Sequence, residues 1–231
     1  MPEIRTITVA LPYRLGRVNC YLVKADEGYV LIDTGVSNQR AALEQELINA
    51  GCQPGNLNLV VLTHGDFDHT GNAAFLQQKY GAKIAMHAQD AGMATHATMG
   101  WNRKAKSDRV TLFGRLIMII ARLFVSKSSF EAFTPDISVE DGQDLAEYGV
   151  DARVIGLPGH SKGSIGILTA GGALFCGDLI MNMMRPELHF MIDDLADCSA
   201  SIEKLKSLPI GTVYPGHGKP FLLKQFINRY R

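Results

Sequence analysis

Thiols, excess charge and long apolar runs are all scarce in this sequence of 231 residues. Its cysteines lie far apart without CxxC spacing, which predicts reduced, mostly buried thiols at Cys20, Cys52, Cys176 and Cys198. No apolar run reaches the roughly 20 residues that a membrane-spanning helix needs. The segment from Met1 to Arg5 leads into a strand-like alternation rather than the apolar core of a secretory signal. We therefore expect a cytoplasmic protein with no membrane span.

The formal net charge is zero, but charge is unevenly distributed along the chain. Between residues 101 and 127, seven basic residues accompany one acidic residue: Arg103, Lys104, Lys106, Arg109, Arg115, Arg122 and Lys127 against Asp108. The overlapping stretch from Val110 to Val125 is almost wholly apolar, with its polar residues on one narrow helical stripe. We predict a helical insertion over residues 91–135. Core packing, a substrate-covering lid, a dimer contact and a membrane-surface helix are its alternative roles.

Outside this insertion, short apolar runs alternate with helical patterns, which predicts one α/β domain over residues 1–231. Strands are expected at residues 4–10, 19–25, 29–33, 57–62, 83–86, 139–145, 150–157, 164–169, 173–176 and 211–214. Helices are expected at residues 38–50, 72–80, 199–208 and 221–230.

The segment His64-Gly65-Asp66-Phe67-Asp68-His69 directly follows the strand predicted at residues 57–62. Four of its six residues can bind a metal, and three further candidates each end another apolar segment: His160, Asp178 and His217. Groups at the ends of strands are expected to converge on one edge of a sheet layer. Carboxylates crowded at one point repel one another unless cations neutralise them. The pattern therefore predicts a metal site.

Five motifs, taken in order, resemble those of the metallo-β-lactamase superfamily. They are Asp33 in Leu-Ile-Asp-Thr-Gly, the cluster at residues 64–69, Pro-Gly-His160, Gly-Asp178 and Pro-Gly-His217. The resemblance runs from about residue 5 to 220 and lapses only in the insertion. It implies a four-layer αββα sandwich, with two sheets face to face and helices outside. It is specific for the fold and much less specific for the substrate.

The same resemblance implies a set of metal ligands. One metal would take His64, Asp66 and His160, and the other would take Asp68, His69 and His217, with Asp178 bridging the two. Asp33 would orient a ligand imidazole through a hydrogen bond. The chain departs from the usual His-x-His-x-Asp-His cluster at Asp66, which stands where the second histidine is expected. This extra oxygen donor leaves iron or manganese open beside zinc, which remains the leading metal.

Two divalent metals can lower the pKa of a shared water toward neutrality and polarise a substrate oxygen. The expected function is therefore a dinuclear hydrolase acting by a metal-bound hydroxide on a small ester, lactone, thioester or phosphodiester, with Asp68 and Asp178 as catalytic residues. A diiron redox protein related to the flavodiiron type and a non-catalytic metal-binding module are the alternatives. The substrate is expected to be a small molecule, anionic or acyl-bearing. Nucleic acid is not expected as a partner, because the basic segment is interleaved with apolar residues rather than stacking aromatics. A homodimer remains open.

The remaining histidines are His87, His96 and His189, and a lone histidine is usually a solvated or hydrogen-bonded side chain. His189 differs because it follows Asp178 by eleven residues and could reach the mouth of the site. Cys176 precedes Asp178 on the same strand and has no base assigned to it, so we expect it in the core.

Overall fold

The computed structural model describes residues 3–12, 16–112, 114–116 and 130–230. Its strands are β1 Ile4–Ala10, β2 Arg17–Lys24, β3 Tyr29–Ile32, β4 Leu57–Val61, β5 Lys83–Met86, β6 Arg109–Val110, β7 Ile137–Ser138, β8 Ala152–Gly156, β9 Ile165–Thr169, β10 Ala173–Phe175, β11 Ile180–Met181, β12 Glu187–Leu188, β13 Met191–Ile192, β14 Thr212–Tyr214 and β15 Phe221–Leu222. Its α-helices are α1 Arg40–Asn49, α2 Phe67–Thr70, α3 Ala73–Tyr80, α4 Ala88–Thr95, α5 Leu195–Lys206 and α6 Leu223–Ile227. Short 3-10 helices occur at Ser37–Gln39 and Ala146–Tyr148.

Most of these strands form two sheets. One has the order β1-β2-β3-β4-β5-β7, in which β3, β4, β5 and β7 run parallel. The other has the order β15-β14-β10-β9-β8, with β10 and β14 parallel. Parallel strands that are neighbours bring their carboxyl ends to the same edge of the sheet, and this is where the candidate ligands follow in the sequence.

Strand β4 has apolar side chains on both of its faces because both faces are covered. Leu59 and Val61 pack between the two sheets, in one core with Ile167 and Phe175 of the second sheet. Their neighbour Val60 points the opposite way, into the core that the first sheet forms with α1 and α3. A third core lies under α5 and α6 on the outside of the second sheet. The expected four-layer αββα sandwich is confirmed.

Two of the predicted elements are wrong in detail. The strand expected at residues 139–145 is absent: β7 ends before it at Ser138, and the segment contains a turn in which Gly142 has a φ of 86°. This positive φ ends the extended conformation, since it suits glycine in a turn rather than a strand. The closing helix is also shorter than expected, because residues 221–222 pair with β14 before α6 begins.

The described part of the predicted insertion packs back onto the second half of the chain. After α4, strand β6 pairs antiparallel with β13, and Val110 lies opposite Met191. Most of the apolar stretch from Val110 to Val125, including Ile117, Ile120 and Arg122, lies outside the described residues, and so does Lys127. Within the described ranges, no helix combines the length and the apolar character needed to cross a bilayer.

Candidate metal centre

All seven side chains of the predicted ligand set meet in one buried cluster between the ends of the two sheets: His64, Asp66, Asp68, His69, His160, Asp178 and His217. Each follows a strand, with residues 64–69 after β4, His160 after β8, Asp178 after β10 and His217 after β14. Backbone bonds hold the strand ends together. The N–H of Ile165 donates to the carbonyl of Thr63 at 2.8 Å, and the N–H of Gly216 donates to that of Gly177 at 2.8 Å.

Asp178 lies at the centre of the cluster. Its Oδ1 is 3.4 Å from Nε2 of His69, and its Oδ2 is 3.3 Å from Nε2 of His217 and 3.9 Å from Nε2 of His64. Two ligand atoms bound about 2.1 Å from one tetrahedral metal lie roughly 3.4 Å apart. The two oxygens of Asp178 thus face different imidazoles at spacings that metal ligands adopt.

Three groups of residues each bring their potential ligand atoms within 4.8 Å of one another. They are His64 with His160 and Asp178, Asp68 with His69 and His217, and Asp178 with His189 and His217. The first two groups correspond to the two predicted metal positions apart from Asp66. The third includes His189, which sequence reasoning placed only near the mouth of the site.

The four histidines of the predicted set share one orientation. Nδ1 of each is hydrogen-bonded to an oxygen outside the cluster: His69 to Asp33 at 2.8 Å, His160 to the carbonyl of Met191 at 2.9 Å, His217 to the carbonyl of Arg17 at 2.7 Å, and His64 to the hydroxyl of Thr63 at 3.0 Å. Nδ1 donates to a carboxylate or carbonyl, because those oxygens only accept. A donating Nδ1 leaves the lone pair of Nε2 free to bind a metal.

Asp33 has the orienting position expected from the sequence. Its Oδ1 accepts the N–H of Thr63 at 2.8 Å, and its Oδ2 accepts the hydroxyl of Thr63 at 2.8 Å in addition to the bond from His69. Its backbone has a φ of 60°, in the left-handed region that non-glycine residues seldom enter. Asp33 thus joins the ends of β3 and β4 to the imidazole of His69.

Several polar atoms of the cluster are buried without a hydrogen-bond partner among the described residues. They are Nε2 of His64, His69 and His189 and Oδ1 of Asp178. Buried nitrogen and carboxylate atoms are nearly always satisfied in native proteins, and a bound metal ion satisfies such atoms where the protein offers them no partner. These atoms converge on one small volume and are the donor types that zinc and iron bind, so the residues present fit bound metal.

The electrostatics of the site agree with a need for cations. Burial alone would lower the pKa of His217, but the carboxylates of Asp178 and Asp68 raise it to about 10. Burial likewise opposes protonation of His69, and Asp178 and Asp33 raise its pKa well above the usual value. His64, by contrast, has its pKa lowered well below that of a free imidazole by burial and by the neighbouring His69.

Asp66 already has a cationic partner. Nη2 of Arg103 donates a short hydrogen bond to Oδ1 of Asp66, and Nη1 of Arg103 donates to the carbonyl of His160 and contacts Asp193 at 3.3 Å. Burial would raise the pKa of the Asp66 carboxyl, but Arg103 and His160 hold it well below its usual range. Two members of the basic segment at residues 101–127 are thus paired with acidic residues of the chain: Arg103 with Asp66, and Lys104 with Asp108 and Asp194.

Asp90 is a residue that sequence reasoning missed. It is fully buried in α4, where Oδ1 accepts the N–H of Gly163 at 2.8 Å and Oδ2 accepts the hydroxyl of Ser161 at 2.6 Å and the N–H of Gly65 at 3.2 Å. It therefore ties the loop that carries His64 to the loop that carries His160. The available signal was an acidic residue on the buried face of a helix, beside Met93 and Ala94.

Cys176 lies in the core, as expected. Its side chain is buried among the apolar residues under α5, and burial raises the pKa of its thiol to about 12. A thiol held neutral in this way is a poor nucleophile.

The αββα sandwich and the histidines and aspartates gathered at its strand ends are the fold and the site of a class of metal-dependent hydrolases. The family model for the metallo-beta-lactamase superfamily matches residues 13–217, so the chain belongs to that superfamily. The superfamily assignment inferred from the five motifs is confirmed.

Several relatives of this chain are named as hydrolases. The chain is 28% identical to the hydroxyacylglutathione hydrolase GloC of Haemophilus influenzae, over 90% of this chain and 89% of that protein. It is 27% identical to the acyl-coenzyme A thioesterase MBLAC2 of Bos taurus, over 89% of this chain and 74% of that protein. Among solved structures, a protein named TTHA1623 in a di-iron-bound form has a TM-score of 0.66 and 26% identity, covering 96% of each chain.

Proposed function

We propose that this protein is a dinuclear metal-dependent hydrolase that cleaves thioesters of small acyl groups. The observation that carries the proposal is the convergence of buried, unpartnered Nε2 and carboxylate atoms around Asp178. The two metal positions would be held by His64 and His160 on one side and by Asp68, His69 and His217 on the other, with Asp178 between them and Asp66 beside the first position. When bound, two divalent metals supply a water of lowered pKa and polarise the substrate carbonyl. Zinc is the leading metal.

The residues of the chain bind and orient in this proposal. Asp33 fixes the ring of His69, the Arg17 carbonyl fixes that of His217, and Asp178 faces imidazoles from both groups. A thiolate leaving group has a pKa of about 8.5, so it can depart without a dedicated proton donor. That chemistry suits a site whose histidines are held at Nδ1 and turned inward at Nε2.

Two observations favour thioesters over the other substrates expected from the motifs. Both hydrolase relatives are named for thioester substrates, and they align with 90% and 89% of this chain. An apolar surface also adjoins the site. The exposed side chains of Met183 and Met184 directly follow Asn182, whose N–H donates to the carbonyl of His217 at 2.8 Å. This surface offers contact to an acyl chain.

The test is an activity panel on protein of measured metal content. A hydroxyacyl-glutathione thioester, a short acyl-coenzyme A, a lactone, a carboxylic ester and a phosphodiester are compared with zinc, manganese or iron supplied. The proposal expects two metals per chain and the highest kcat/KM on a thioester. Asp178→Ala should lose both metal and activity, because both positions lose their shared ligand. Preference for a lactone or phosphodiester by more than tenfold would overturn the assignment of substrate.

A diiron redox protein is the second candidate, favoured by the di-iron-bound form of TTHA1623. Iron retained through purification, with a visible absorption band that bleaches on reduction and no turnover on the panel, would favour it. Less than one metal per chain together with no turnover would favour a non-catalytic metal-binding module.

A further inference from the structure

His189 has the features that identify the other buried histidines as candidate ligands. It is 3% exposed, and its Nε2 lies 3.3 Å from Oδ2 of Asp178 without a hydrogen-bond partner among the described residues. Its ring stands between those of His160 and His217, with centroid distances of 4.7 Å and 5.8 Å. A neutral imidazole nitrogen facing a carboxylate oxygen at this distance is an arrangement that a shared cation stabilises.

The ring of His189 is also oriented like the others. Its Nδ1 lies 3.2 Å from the carbonyl oxygen of Met191, which also accepts the bond from Nδ1 of His160, and 3.4 Å from the backbone nitrogen of Met191. An Nδ1–H donated to this carbonyl leaves the lone pair of Nε2 directed into the cluster. Met191 lies in β13, which is held by its pairing with β6 of the insertion. The backbone of one residue, Met191, therefore contacts Nδ1 of two imidazoles.

Asp66 differs because one of its oxygens is already bound to a cation of the chain. Its Oδ1 is bonded to the guanidinium of Arg103, and its Oδ2 lies 3.0 Å from Nε2 of His160 and 3.7 Å from Nε2 of His64. Both side chains of the Asp66–Arg103 pair are only 9% exposed. A buried arginine needs a carboxylate to offset its lost hydration, so drawing Asp66 toward a metal would leave that charge with the more distant Asp193.

We propose that His189 is a metal ligand through Nε2, grouped with Asp178 and His217, and that Asp66 serves as the counterion of Arg103 rather than as a ligand. This inference rests on the proposed metal site but not on the substrate. It replaces one oxygen donor with a nitrogen, which makes the ligand set softer and favours zinc over manganese.

Counting metal-bound imidazoles in the wild-type protein tests the inference without a substitution. Protein labelled with 15N-histidine is titrated with zinc alone, and long-range 1H–15N spectra report which Nε2 atoms move to the metal-bound range. The inference expects five such histidines: His64, His69, His160, His189 and His217. Four, with the Nε2 of His189 unmoved, would overturn it.

Zinc affinity in three variants provides an independent measurement. His189→Gln should bind zinc at least tenfold more weakly than wild type, whereas His96→Gln, on an exposed histidine stacked against Trp101, should bind it equally well. Asp66→Asn, combined with Arg103→Met so that neither charge of this pair is left facing the other's neutral replacement, should keep the wild-type number of zinc ions. Loss of a zinc ion from this double variant, with its thermal transition intact, would overturn the role given to Asp66.

The two proposals can fail separately. If zinc-loaded wild type hydrolyses no member of the panel, the proposed function is wrong while the count of metal-bound histidines still decides the ligand set. If the panel gives a clear thioesterase but only four histidines bind zinc, the function stands and the role of His189 is wrong.

Discussion

The Nδ1 of His69 donates a 2.8 Å hydrogen bond to Oδ2 of Asp33, and the same carboxylate accepts both the N–H and the hydroxyl of Thr63. The Asp33 carboxylate thus receives three hydrogen bonds while its backbone holds a φ of 60°. Asparagine tolerates the same backbone region, so Asp33→Asn removes the charge of the side chain without straining the backbone.

Asp33→Asn is expected to weaken zinc binding by about 10–100-fold, the range found when partners of ligand imidazoles are removed. The amide keeps the backbone conformation, but its NH2 group cannot accept a hydrogen bond. One of the donors that Asp33 binds, on Thr63 or His69, then loses its acceptor. Zinc affinity measured by competition with a chelator checks this. Asp151→Asn, on an exposed aspartate, is the matched control and should bind zinc like wild type. Equal affinities for the two variants would contradict the orienting role of Asp33.

Gly216→Ala should disrupt the metal site while leaving the fold intact. A Cβ at this position would overlap Oδ1 of Asp178 and lie 2.7 Å from Cε1 of His69, closer than real contacts allow. Both side chains would have to turn, and we expect zinc affinity to fall at least tenfold. Gly211→Ala is the control, since its Cβ meets nothing nearer than the carbonyl of Gly172 at 3.7 Å. Similar zinc affinity in both variants would show that the site accommodates the methyl group.

The Asp66–Arg103 pair should contribute strongly to stability even without metal. Removing one partner of a buried ion pair leaves an uncompensated charge, which costs about 3–5 kcal/mol. We expect Asp66→Asn and Arg103→Met each to lower the free energy of unfolding by about this amount, and the double variant to lose less than the sum. Urea unfolding in the presence of a chelator measures it.

The comparison pair for that experiment is Arg5 with Glu46, whose side chains are 39% and 42% exposed. An exposed ion pair contributes roughly 0–1 kcal/mol, so its variants should be almost neutral. If the two pairs behave alike, Arg103 and Asp66 are not paired in the folded protein.

Cys52 and Cys198 should resist thiol reagents in the native protein. Both are fully buried, and burial raises the pKa of each thiol to about 11. A raised pKa means that the folded state disfavours the thiolate. The stability associated with keeping these thiols neutral is therefore present below about pH 8.5 and is lost as the pH rises toward 11. Labelling with iodoacetamide at pH 8 should be negligible until guanidinium is added. Rapid labelling of either native thiol would contradict its burial.

The sequence was informative where ligands follow regular strands. β4 ends at Val61 and the cluster begins at His64, so an apolar run and a polar segment together locate the site. The same logic located His160, Asp178 and His217. A strand has a fixed direction, and parallel neighbours deliver their ends to one place.

The contacts of Arg103 and His189 could not be predicted in this way. Arg103 lies in an irregular segment 37 residues after Asp66, and His189 lies between the two-residue strands β12 and β13. Such segments lack a period that fixes the direction of a side chain, so the sequence could not show that these two side chains turn into the cluster. The turn at Asp141 and Gly142 was missed for a related reason, since the apolar residues around it allowed a strand as well as a turn.

The carbonyl of Met191 has a consequence for the order in which metals bind. Because Nδ1 of both His160 and His189 lies within hydrogen-bond distance of this one oxygen, immobilising either ring restrains the backbone that the other ring contacts. The entropy of ordering that peptide is then lost once rather than twice. Occupation of one position should prepare its neighbour, and partially loaded protein should be a mixture of empty and full molecules rather than a population carrying a single ion.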